Sequence, residues 1–76
     1  MRIDAHHHVW TVARGDYGWL DRAPKAIRRD FDLADLGPFL ARHAIAATIL
    51  VQAAPTVAET RFLLATARQS GVVAGV

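Results

Sequence analysis

The chain contains no cysteine, which excludes a disulfide scaffold, a thiol nucleophile and any cysteine-rich zinc module. That absence suits a reducing compartment, so the cytoplasm is the expected location. Surplus charge is also scarce: nine Lys and Arg stand against seven Asp and Glu, a formal balance of +2. The densest basic stretch, Lys25 to Arg29, is followed at once by Asp30 and Asp32 and has no aromatic residues interleaved, so no nucleic-acid partner is expected. Long apolar runs are missing too. The first twenty residues carry Asp4 and three histidines where a secretory leader would be apolar, and neither a leader nor a membrane span is expected. With 76 residues, the chain has room for at most one small domain.

What is present is hydrophobic residue in quantity, 53% of the chain against 21% charged, a balance that demands burial. Residues 2 to 5, "RIDA", read as a short strand ending in the histidines. The stretch 11–32, with two glycines, a proline and scattered aromatics, reads as a long loop with one helical turn, a length that is often functional. Leu33, Leu36, Leu40 and Ala44 then form a helical stripe with Asp32 or Asp35 as N-cap and Pro38 tolerable only in the first turn. "ATILVQA", residues 47 to 53, suits a strand buried on both faces. Thr56 and Glu59 make a T-x-x-E capping box for a second helix with Leu63, Leu64 and Ala67 on one face and Gly71 at C′. "VVAGV" begins a third strand. The order is β-α-β-α-β with connections long enough for right-handed crossovers between parallel strands. A free-standing three-stranded parallel sheet would leave edges and apolar faces open, so the expectation is the N-terminal piece of a larger α/β protein.

The functional candidates begin with "HHH" at positions 6 to 8. Side chains alternate along a strand, so His6 and His8 share one face with Asp4 while His7 and Ala5 take the other. His6 and His8 could therefore aim two imidazoles at one metal ion, with Asp4 as a candidate acceptor orienting a ring. Two ligands do not complete a site, and His43, on the first helix, is expected at the distal side. A polar strand end without a metal is the plain alternative.

"IDAHHHVW", "RGDYGWL" and "ILVQAAPTVAETRFLLATARQSGVVAGV" together resemble the N-terminal region of the amidohydrolase superfamily, most closely its amidohydrolase-related branch of sugar-acid and pyrone-dicarboxylate lactonases. The likeness covers nearly the whole chain. It departs from the pattern at His7, where relatives commonly carry Gln, and at Gly18, where they often carry Pro. The resemblance implies a (β/α)₈ barrel of which residues 1–76 are the first strand through the start of the third. It implies that His6 and His8 face the barrel mouth, either as ligands of a divalent metal, zinc first, or in a metal-independent version as groups that polarise the substrate. The remaining ligands and the general base would come from later strands.

The expected reaction is water attack on a sugar-acid or related lactone, with the developing oxyanion stabilised at the mouth. Gln52, at the end of the second strand, is a candidate substrate contact, its alternative being to satisfy backbone groups. Trp10, Tyr17 and Trp19 are candidate pocket walls, or else packing anchors. The rivals are decarboxylation or amide hydrolysis at the same mouth, and a small non-catalytic metal-binding or interaction module. The substrate is a small molecule in the enzyme readings. The rest of the barrel is required for activity, and the oligomeric state is not legible from the sequence.

Overall fold

The computed structural model describes all 76 residues. Strand β1, Arg2–His7, is followed by three 3₁₀ turns at Val12–Arg14, Gly18–Arg22 and Lys25–Ile27, then helix α1, Leu33–Arg42. Strand β2, Ile45–Leu50, helix α2, Val57–Gln69, and strand β3, Val73–Gly75, complete the chain. The three strands form one parallel sheet in the order β1-β2-β3, the β-α-β-α-β arrangement expected from the sequence. No helix is long and apolar enough to cross a membrane.

Both helices lie on one face of the sheet. Val9, Leu50 and Leu63 form the buried centre there, with Leu33 from α1 and Phe62 from α2 packed against it. Leu63 and Leu50 are almost completely buried. The opposite face carries Ile3, paired with Ala47, and Ile49, paired with Gly75; no helix covers it, and Ile3 is 54% exposed. Only nine residues are buried, few for a chain so rich in apolar side chains.

Several local details differ from the sequence expectation. The loop after β1 holds three 3₁₀ turns rather than one helical turn. Asp32 caps α1 in a complete capping box with Asp35, but Pro38 falls in the second turn. Ala34, whose carbonyl loses the bond Pro38 cannot donate, is exposed, so water can take its place. Ala44 leaves the apolar stripe: it lies past the helix in the left-handed region at φ 54° and is exposed. Strand β2 starts and stops earlier than expected, which puts Gln52 in the following loop.

Helix α2 begins at the expected Thr56, whose hydroxyl accepts the Glu59 N–H at 3.0 Å. The reciprocal half of that capping box is absent, because the Glu59 carboxylate turns inward to other partners. The buried side of α2 accordingly runs through Glu59 and Leu63, and Leu64, expected on that face, is 42% exposed. Ser70 ends the helix and its Oγ accepts the Val72 and Val73 N–H groups, so Gly71 occupies C′ without a left-handed backbone.

Candidate active site

His6 and His8 stand side by side at the C-terminal end of β1, their ring centroids 5.1 Å apart and nearly perpendicular, and both are exposed. His7 points the other way, toward the helices. Both of its ring nitrogens are buried without a hydrogen-bond partner, and burial lowers its pKa below the ordinary value, an effect that the Asp4 carboxylate partly opposes. His7 and the buried Val9 thus share the helix side, while His6 and His8 face the open side of the sheet.

The expected grouping of Asp4 with His6 and His8 does not hold. Asp4 pairs with Thr48 and His7 with Leu50, so β1 advances three residues while β2 advances two. This irregularity resets the alternation: Asp4 lies on the same side as His7, and the Asp4 carboxylate accepts the backbone N–H of His6 at 3.1 Å rather than a histidine ring.

His8 Nδ1 lies 2.9 Å from the carbonyl oxygen of Val51. A carbonyl only accepts, so Nδ1 carries the proton and Nε2 keeps its lone pair free. This is the arrangement in which metal-binding histidines are held, the distal nitrogen bonded and the other available. Two imidazole donors are what the chain supplies, and no cluster of three or more potential ligands occurs. His43 is at the far end of the sheet, where it caps α1 and its carbonyl accepts from Arg2.

The segment following β2 organises the rim. Val51 O receives His8, and Ala53 O receives the Trp19 indole N–H at 2.8 Å. The Gln52 side-chain amide donates to the Ala54 and Thr56 carbonyls at 3.2 and 3.3 Å, which meets the backbone need of the turn. Trp10 packs edge-on against Trp19 and Phe31, donates its indole N–H to Arg29 O, and forms a two-way backbone bridge with Phe31. Trp19 remains 41% exposed beside it. Tyr17, a candidate pocket wall in the sequence, is a packing anchor instead: it is 5% exposed and donates its hydroxyl to Glu59 at 2.7 Å. Burial and this carboxylate push its pKa up to about 12.

The sequence reading missed Glu59. Its fully buried carboxylate accepts from Arg14 at 2.9 Å and from Tyr17 through one oxygen, and from the Ala53 N–H at 2.8 Å through the other. Arg14 also reaches Asp16 and stacks over the Phe62 ring, and Thr56 donates its hydroxyl to Asp16. This network locks the loop after β1 to the loop after β2, the two segments that frame the histidines. The only sequence signal was a glutamate three residues after an N-cap threonine, which capping explains equally well.

The fold matches the N-terminal part of an amidohydrolase TIM barrel. A crystal structure of an amidohydrolase from Burkholderia multivorans with bound zinc superposes on all of this chain with a TM-score of 0.88 and 35% sequence identity. A second crystal form of it, with bound HEPES, gives 0.87. The particular likeness is to L-fucono-1,5-lactonases: that of Burkholderia ambifaria is 45% identical over all 76 residues and that of Burkholderia multivorans 36%. The chain spans about a quarter of these relatives, 26% of each lactonase and 27% of the crystallised chain. No protein-family profile matches the chain.

Proposed function

We propose that residues 1–76 form the opening β/α units of a barrel that hydrolyses a sugar-acid lactone of the L-fuconolactone type, and that His6 and His8 are two of its ligands for a divalent metal, zinc in the first instance. The observation that carries this reading is the pair of histidines on the open face at the C-terminal end of β1, in a chain 45% identical to a lactonase. Barrel enzymes build their sites at that end of the strands.

The donor set fits a metal of this kind. Both side chains are neutral-capable nitrogen donors on a strand, and the bond from His8 Nδ1 to Val51 leaves Nε2 as the free donor. A divalent ion, when bound, supplies Lewis-acid polarisation of the lactone carbonyl and a nucleophilic water at neutral pH. The chain's own residues do the rest of what is visible. Val51 fixes the His8 tautomer and ring plane, and Trp10 and Trp19 form an apolar, partly exposed wall beside the mouth, suited to a sugar ring face. Gln52 holds the rim turn through its amide N–H groups, and its carbonyl oxygen is the atom available to a substrate hydroxyl.

The test is hydrolysis of L-fucono-1,5-lactone by the protein expressed from its whole reading frame, followed by acid release before and after chelation. The reading expects turnover that chelation abolishes and zinc restores. Turnover untouched by chelation would overturn the metal role. Inactivity on lactones with decarboxylation or amide cleavage in their place would overturn the reaction.

A further inference from the structure

We infer that Asp4 is a positioning residue for the histidine pair: by accepting the His6 N–H, its carboxylate holds the irregular step in β1 that turns His6 and His8 onto the open face. The inference rests on the reading of His6 and His8 as metal ligands.

Three observations carry it. The step from Asp4 to His7 uses three residues of β1 against two of β2, and the extra residue of such a bulge loses its ladder partner. The Asp4 carboxylate supplies one, 3.1 Å from the His6 nitrogen. Without the step, strict alternation from Asp4, which pairs with the buried Thr48, would send His6 and His8 to the helix side and His7 to the open face. The identity of the facing histidines therefore depends on this local backbone geometry, and Asp4 is the side chain that bonds within it. What the bond requires is an acceptor oxygen two residues before His6, so asparagine can replace aspartate and alanine cannot.

The experiment uses the protein expressed from its whole reading frame, metal-free and then titrated with zinc alone against a chromophoric chelator. Asp4→Ala is expected to weaken zinc binding about tenfold, the scale on which outer partners of metal ligands act, while Asp4→Asn stays close to the unmodified protein. Hydrogen exchange of the His6 amide, read by NMR in the metal-free protein, should quicken in Asp4→Ala and not in Asp4→Asn. Unchanged zinc affinity in Asp4→Ala, or an equal loss in both variants, would overturn the inference. If the unmodified protein takes up no zinc, the metal reading fails, and the His6 amide still decides the role of Asp4: equal exchange in the unmodified protein and Asp4→Ala would overturn that role, and faster exchange in Asp4→Ala alone would uphold it.

Discussion

Replacing Glu59 should destabilise the fold more than any other single polar substitution. The carboxylate has no exposed surface and accepts three donors: the Arg14 guanidinium, the Tyr17 hydroxyl and the Ala53 N–H. Glu59→Leu strands all of them. Leaving one buried donor unsatisfied costs about 1–3 kcal/mol, and removing one partner of a buried ion pair about 3–5 kcal/mol. Arg14 is partly exposed and keeps Asp16 at 3.3 Å, which places the expected loss near the low end, about 3 kcal/mol. Glu59→Gln retains one acceptor oxygen but turns an NH₂ toward a donor, for a loss of about 2 kcal/mol. Tyr17→Phe, which leaves the ion pair in place, should lose about 1 kcal/mol. Urea unfolding at neutral pH of the protein expressed from its whole reading frame measures all three. A Glu59→Gln protein within about 0.5 kcal/mol of the unmodified one, the range of ordinary surface changes, would refute the view that this carboxylate ties the two loops together.

Tyr17 is the chain's single tyrosine, and its phenol should titrate near 12 rather than 10. Because the fold favours the neutral phenol, the stability this contributes is whole below pH 10 and is lost as pH rises toward 12; NMR of the Tyr17 ring checks it, and a midpoint near 10 would refute the burial argument. Leu63→Ala, at a fully buried site between α2 and the sheet, should lose about 2–5 kcal/mol by denaturant unfolding. Thr56→Val, which removes the N-cap acceptor of α2, should lose about 1 kcal/mol in the same assay. Residues 1–76 alone should bind a hydrophobic dye, given exposed Ile3, Phe39 and Leu64; a sharp cooperative melt of the 76-residue monomer without dye binding would contradict this.

The element order was legible because each signal was local: the β-branched run of β2, the capping threonine of α2, the leucine stripe of α1. Where the reading slipped, a tertiary partner decided. Leu64 is as apolar as Leu63, but Glu59 turns inward to meet Arg14 and Tyr17 and rotates the buried side of α2 away from it. The histidine pair was legible from strand alternation. Its relation to Asp4 was not, since a bulge depends on register with β2, which a single strand's sequence does not encode. Tyr17 and Trp19 looked alike as loop aromatics, and only a partner 42 residues away in the chain separates the buried one from the exposed one.

The central claim is that His6 and His8 hold a metal at the mouth of a lactone-hydrolysing barrel. The most direct measurement is anomalous X-ray scattering at the zinc edge from crystals of the zinc-loaded protein expressed from its whole reading frame. The account predicts a peak within about 2.0–2.1 Å of a ring nitrogen of each of these two histidines, on the open side of the sheet. A peak bound through His7, or one that touches neither His6 nor His8, would contradict it.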